Sequence, residues 1–289
     1  MEKYTIRDFD RDFPDDDFCL EWLKNYLYPS GIHCQSCEEV TKHHRMKKRP
    51  SYSCDRCGHH VHPMAGTIYQ DTRTPLKSWF YATYLMAQTR CGISAKQIER
   101  ELGVTYKTAW RMFKQIRTLL EEPLEPFDGE VEVDETYWGG KAKNKAGRKR
   151  RMGRGVDKTP IVGVVKRGGK VIATKTRDVS RATVLLIFKR HVLPKSTVYT
   201  DEYRTYDVLP AEGYRHRRIH HASRVYVRGN VHTNTIEGFW SLLKRGIGGV
   251  YHAVSDKYLQ SYLNEYSFRY NHRDDEQPMF QTMLRLVSR

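Results

Sequence analysis

The sequence predicts an α+β multidomain protein: a small cysteine-knuckle module, a helical module, and a mixed α/β domain. Three observations carry this. Cysteines fall as two Cys-x2-Cys pairs, Cys34/Cys37 and Cys54/Cys57. Residues 75–120 hold three helix-period segments broken by glycine. From residue 130, strand and helix patterns follow in the order β-β-β-α-β-α-β-α-α, which suits a mixed sheet with helices packed on it. The expected boundaries are 14–70, 71–122 and 127–273, with a tail at 274–289.

The sixteen residues between the two cysteine pairs allow two tight turns to aim four sulfurs at one point. That is the layout of a tetrahedral thiolate site for Zn²⁺, one ion per chain, as in a zinc ribbon. Gly58 follows the second pair and lets the backbone turn. Histidines 33, 43, 44, 59, 60 and 62 lie close enough to replace a sulfur, but four cysteines already fill the shell. A closed shell has no open position, so this zinc is expected to be structural. Cys19 and Cys91 read as small buried residues in helical patterns.

The helical module opens at Pro75 with PLKSWFYATYLMAQTR and breaks at Cys91-Gly92. SAKQIEREL follows, with Ser94 and Gln97 spaced as a capping box and Gly103 as its stop. Thr105 then caps TYKTAWRMFKQIRTLL. Helix, glycine turn, helix is the helix-turn-helix layout, although the same pattern describes a plain three-helix bundle. Lys107, Arg111, Lys114 and Arg117 read as the exposed face of the last helix, available to DNA. Glu121 to Pro126 mark a linker.

Charge favours a polyanion. Lys and Arg number 50 against 34 Asp and Glu, a formal net charge of +16, and nucleic acid is the commonest polyanion. No apolar run reaches the roughly 20 residues of a membrane helix. The acidic N-terminus does not read as a secretory signal. A cytoplasmic, nucleoid-associated protein without disulfides is the expectation.

In the last module, EVEVDETYWGG (130–140) alternates as a strand carrying Asp134. Residues 141–158 hold nine Lys/Arg and one acid, with Arg148, Lys149, Arg150 and Arg151 as a run suited to phosphate contact or to a solvated linker. TPIVGVVKRGG and KVIATKTRD read as strands joined at Gly168-Gly169. A helix at 180–192, a strand ending at Asp201, a further strand in YRHRRIHH and helices at 232–249 and 255–273 complete it. On the first of those late helices, Ile236, Phe239, Trp240, Leu243 and Ile247 form an apolar stripe. Asn234, Glu237, Ser241 and Lys244 occupy another face. Adjacent central strands would set Asp134 beside Asp201, and a helix crossing that end could deliver Glu237. Converging carboxylates repel unless cations neutralise them, and hard oxygen ligands favour Mg²⁺ or Mn²⁺. Two such ions ~4 Å apart serve phosphodiester chemistry. Glu135, next to Asp134, would point to the opposite face of the strand.

VEVDETYWGGK, YTDEYRTY and HTNTIEGFWSLLKRGIGGVYH resemble bacterial insertion-sequence transposases of the DDE type, the group with an N-terminal zinc ribbon and an ISXO-like, RNase H-like catalytic domain. The resemblance runs from about residue 14 to 272. It implies Asp134 and Asp201 as the first two metal ligands. The third lies in an N-x-x-E segment, at Asn234 or Glu237, and Glu237 is preferred as the anion seven residues before Lys244, which would hold a phosphate. It further implies binding of double-stranded DNA at terminal inverted repeats and at a target, a homo-oligomer in the synaptic complex, and metal-dependent cleavage and strand transfer. A structure-selective nuclease with the same core, or a non-catalytic DNA-binding regulator, are the alternatives.

Overall fold

A computed structural model describes residues 4–139, 158–219 and 232–287. The chain divides into two compact units, Met1–Leu119 with Asp274–Arg289, and Leu120–Arg273.

The first unit begins with helix α1 (Ile6–Asp12), closed by a reciprocal capping box between Thr5 and Asp8. Periodicity does not reveal this helix, because its seven residues bury one side chain, Phe9, and form no stripe. Helix α2 (Asp16–Leu27) follows, with Asp15 accepting from the Asp17 and Phe18 amides. Five short strands come next: β1 (His33–Cys34), β2 (Glu39–Val40), β3 (His43–Arg45), β4 (Tyr52–Cys54) and β5 (His60–Val61). β1 pairs with β2, and β3-β4-β5 form a three-stranded antiparallel sheet.

Helices α3 (Leu76–Gln88), α4 (Ala95–Leu102) and α5 (Tyr106–Leu119) then follow. Their ends are those the sequence predicts. Ser94 accepts from the Gln97 amide, Gly103 takes the left-handed conformation at φ +63°, and Thr105 accepts from the Thr108 amide. Two expectations need correction. Arg117 is buried, not exposed: α5 turns it inward, with its guanidinium 5.3 Å from the centre of the Phe113 ring. Cys91 is exposed, because α3 ends at Gln88 and leaves it in the turn. The tail folds back into this unit as the helix Met279–Leu284. Its Phe280 packs among Tyr4, Phe9, Phe13 and Tyr84, with ring centres 5.1 to 6.0 Å apart.

The second unit is built on a five-stranded sheet. Its strands are β6 (Glu130–Trp138), β7 (Thr159–Lys166), β8 (Val171–Lys175), β9 (Thr197–Thr200) and β10 (Arg215–Arg218), in the spatial order β10-β9-β6-β7-β8. β6, β7 and β8 run antiparallel, and β6, β9 and β10 run parallel. The turn between β7 and β8 holds Gly168 at φ +66°, as the Gly-Gly pair predicts. Helix α6 (Arg181–His191) and a 3-10 helix (Arg204–Glu212) flank β9 in sequence. Helix α7 (Asn234–Gly246), a π turn (Ile247–Tyr251) and helix α8 (Leu259–Asn271) end the unit.

Alternation along β6 sorts the core into two layers. Val131 and Val133 pack with Val184 and Phe188 of α6 and with Tyr206 and Leu209 of the 3-10 helix. On the other face lie Ile161 and Val165 with Ile236, Phe239, Trp240, Leu243 and Ile247, and with Leu259 and Leu263 of α8. The predicted stripe of α7 is thus wholly buried, between 0 and 3 % exposed. Each such side chain contributes about 1.5–3 kcal/mol on leaving water, so the stripe clamps α7 across the sheet. Gly163 permits that closeness. It pairs with Asp134 across the strands, and a Cβ there would stand 2.5 Å from Trp240 Cζ2.

Candidate active site

In the first unit the four predicted cysteines come together. Their sulfurs all lie within 4.8 Å of one another, with Cys34 to Cys57 at 3.5 Å and Cys37 to Cys54 at 3.9 Å. A tetrahedron with metal–sulfur bonds of about 2.3 Å has sulfur–sulfur edges of about 3.8 Å, so the set fits zinc without rearrangement. Both knuckles use one turn. The residue after each second cysteine takes positive φ, Glu38 at +57° and Gly58 at +73°. Each donates its amide to the carbonyl of the first cysteine, at 2.9 and 3.0 Å. The Thr41 hydroxyl and the Cys57 amide draw the Cys54 thiol down to about 5, toward the thiolate a metal needs. None of the neighbouring histidines joins the cluster.

In the second unit, β9 pairs with β6 in parallel from Glu130 to Glu132, with Glu132 opposite Tyr199. Two residues further in that register bring Asp134 level with Asp201. β9 has by then ended at Thr200, and Asp201 Oδ1 accepts from the Tyr203 amide at 3.0 Å as the chain turns away. Asp134, in the middle of β6, and Asp201, one residue past the end of β9, therefore lie side by side. Asp134 Oδ2 accepts from Trp240 Nε1 at 3.0 Å. Burial, then the charges of Glu135 and Asp201, push the Asp134 carboxyl up to about 7. Like charges forced together in a partly desolvated place invite a cation.

Glu135 also belongs here. Its backbone position faces the opposite layer, where Tyr206 donates to its Oε2 at 3.0 Å. Yet one carboxylate oxygen from each of Asp134, Glu135 and Asp201 lies within 4.8 Å of the others. Among the described residues the pairing of β6 with β9 ends at Glu132, before Glu135. Alternation alone places it out of reach; only the end of the pairing reveals it.

A cleft of about 670 Å³ opens on these groups and is lined also by Thr233, Glu237, Ser241 and Lys244. Glu237 is exposed to it and accepts from the Thr233 hydroxyl at 3.0 Å. Lys244, two turns along α7, lines the same cleft. Asn234 is exposed at the first turn and is not among the lining residues. Glu237 is not within the tight three-carboxylate group, which makes it a wall of the cleft rather than part of its floor.

Of the predicted DNA-contacting residues in α5, Lys107 and Lys114 are exposed. Arg111 is half-buried, its guanidinium 5.7 Å from the Trp79 ring and bonded to Thr72. Arg148, Lys149, Arg150 and Arg151 lie outside the described residues. No helix among the described residues is long and apolar enough to cross a membrane.

Residues 126–271 match the family profile of the ISXO2-like transposase domain, and residues 14–60 match the transposase zinc-ribbon domain. The chain is 30% identical over 263 residues to a protein of the transposable element ISH50 of Halobacterium salinarum, covering 86% of this chain and 88% of that one. It is 32% identical over 105 residues to a transposase-like protein of Haemophilus influenzae, covering 36% of this chain and 84% of the relative. Among solved structures, a chain of the simian T-cell lymphotropic virus intasome aligns at a TM-score of 0.30 and 14% identity, covering 64% of this chain and 65% of that one.

Proposed function

The chain belongs to the IS1595 family of transposases, with an N-terminal zinc ribbon and an ISXO2-like DDE catalytic domain, and from that premise we propose that it cuts and joins DNA at the ends of its own element. The observation that carries this is the cleft. Asp134, Asp201 and Glu135 converge at its floor, and Glu237 and Lys244 face them from α7. Asp134 and Asp201 hold a divalent pair, Mg²⁺ or Mn²⁺, with Glu237 as third ligand and Glu135 close enough to assist. Bound there, such ions lower the pKa of an attacking oxygen and neutralise a leaving one. Lys244 binds a non-bridging phosphate oxygen as a point charge and cannot itself ligate a cation. Trp240 and Thr233 orient the Asp134 and Glu237 carboxylates. Water first attacks the phosphodiester at the element end and displaces the element's 3′-OH; that 3′-OH then attacks a target phosphodiester and displaces a target 3′-OH, so both steps would reuse one set of carboxylates.

The four cysteines hold one structural zinc. The ribbon and the helix-turn-helix of α4 and α5 recognise terminal inverted repeats of double-stranded DNA, with Lys107, Arg111 and Lys114 at the interface. The basic stretch 141–158 contacts phosphates. A homo-oligomer synapses two ends.

The test is strand transfer by the purified chain, with labelled candidate repeat ends, target DNA and Mg²⁺. Joined product with the wild-type chain and none with Asp134→Asn or Asp201→Asn is the expected result. Cleavage without joining would leave a structure-selective nuclease, and end binding without either would leave a regulator. Wild-type activity in Asp134→Asn would reject the assignment. Among the remaining candidates, Glu237→Gln should cost more activity than Glu135→Gln or Asn234→Ala; the reverse ranking moves the third ligand.

A further inference from the structure

Helix α7 starts without a side-chain cap of its own. Its N-cap residue, Thr233, makes no capping bond, and the Thr233 hydroxyl instead donates to Glu237. The first amides of a helix still need acceptors, the more so where they are buried. Here the acceptor comes from another element. Glu132 of β6, whose side chain is fully buried, takes the Thr235 amide at 2.8 Å and the Ile236 amide at 3.0 Å on one oxygen. Its other oxygen takes the Thr235 hydroxyl at 2.9 Å and Arg167 Nε at 2.8 Å.

Arg167 is itself fixed. Its Nη2 donates to the His232 carbonyl at 2.7 Å, and its guanidinium lies 3.8 Å from the centre of the Tyr199 ring. One buried carboxylate thus ties together β6, the β7–β8 turn and the start of α7. Its negative charge sits at the positive end of the α7 dipole. A buried carboxylate survives only with such a complete set of donors.

Glu132 is two residues before Asp134, so both side chains leave the same face of β6. Glu237 directly follows Thr235 and Ile236, whose amides Glu132 holds. We infer that Glu132 is a positioning residue that sets the register between Asp134 on β6 and Glu237 on α7, and so the spacing of the metal-binding carboxylates. This rests on the reading of the cleft as a divalent-metal site. Glu132 is not among the residues that line the cleft; it acts through α7.

The experiment uses the full chain in three measurements. In the metal-free protein, amide hydrogen exchange at Thr235 and Ile236 is compared between wild type and Glu132→Gln. Gln keeps the shape but loses the charge and turns an NH2 toward existing donors, so both amides should exchange about tenfold faster, as expected for a lost hydrogen bond to a charged acceptor. Mn²⁺ binding, followed by electron paramagnetic resonance, should weaken by about tenfold, the lower range for loss of a group that orients a metal ligand. On a Glu237→Gln background the same change should add less than about twofold, because coupled residues are not additive. Phe188→Leu, on the opposite face of the sheet, lowers the melting temperature without moving the Mn²⁺ midpoint. If Glu132→Gln does not fold, Thr235→Val removes only the hydroxyl bond to the Glu132 carboxylate and should weaken Mn²⁺ binding by up to about tenfold, the scale of one hydrogen bond to a charged acceptor.

Unchanged exchange and an unchanged Mn²⁺ midpoint overturn the inference, as does full additivity with Glu237→Gln. A wild-type chain that binds no Mn²⁺ overturns the reading of the cleft instead. The exchange rates at Thr235 and Ile236 then decide separately whether Glu132 is the joint.

Discussion

The cysteine cluster and the carboxylate cluster are both places where like donors converge, but they are assembled over very different lengths of chain. The four sulfurs come from 34 to 57, through two copies of one tight turn closed by Glu38 and Gly58. The carboxylates come from Asp134 and Glu135 on β6 and from Asp201 just past the end of β9, with Glu237 of α7 lining the same cleft. The first site is a matter of local backbone geometry and can exist wherever its turns form. The second exists only when the sheet pairs in the right register and α7 lies across it. A local site stabilises its own module through its metal, whereas the distributed site draws its geometry from the whole core and crowds like carboxylates together.

The sharpest way to break this comparison is to neutralise one member of each cluster. Asp134→Asn should reduce cleavage and joining by at least about a thousandfold, the scale of an essential catalytic group, while repeat-end affinity in a gel-shift assay stays near wild type. Cys34→Ser should do the opposite. Elemental analysis should fall from about one zinc per chain to none, residues 30–70 should lose their dispersed NMR signals, and end binding should fail, because such modules fold with their metal.

Next in size is the cost of crowding the distributed site. Gly163→Ala would drive a methyl into Trp240 and displace the indole that holds Asp134. A loss of about 1–3 kcal/mol in urea unfolding of the second unit is expected, as for other overpacked cores, together with weaker Mn²⁺ binding. Retention of both would mean that Trp240 does not position Asp134.

The pH dependence separates the sites without mutation. Asp134 has its carboxyl raised to about 7 from an ordinary value of 3.8. A raised carboxyl contributes stability that is complete below the unfolded value and is lost as pH rises through the folded one. In metal-free protein, this contribution to the melting temperature should therefore disappear between about pH 4 and 7, and Asp134→Asn should remove that component. Mg²⁺ should protect more at pH 8 than at pH 5. A protection independent of pH would detach Asp134 from the metal.

The smallest effect concerns residues 141–158. Replacing Arg148, Lys149, Arg150 and Arg151 by Ala should flatten the salt dependence of DNA affinity by about one log–log unit for each lost phosphate contact. An unchanged slope would make the stretch a solvated linker.

Much of this molecule is determined by sequence alone, and the reason is locality. The four-cysteine set follows from spacing, the ends of α4 and α5 from Ser94, Gly103 and Thr105, and the buried face of α7 from its 3.6-residue period. The closeness of Asp134 and Asp201 followed from strand order, since β6 and β9 are parallel neighbours whose register carries Asp134 level with Asp201. What tertiary structure decided lies where a side chain's partner is remote or where a pairing ends. Arg117 is buried, with its guanidinium 5.3 Å from the centre of the Phe113 ring. Glu135 joined the carboxylates beyond Glu132, where the pairing of β6 with β9 ends. Glu132 reads in the sequence as one more acid on an alternating strand; only the fold brings it both Arg167 and the first amides of α7, the latter 103 and 104 residues later, which together hold a buried charge there.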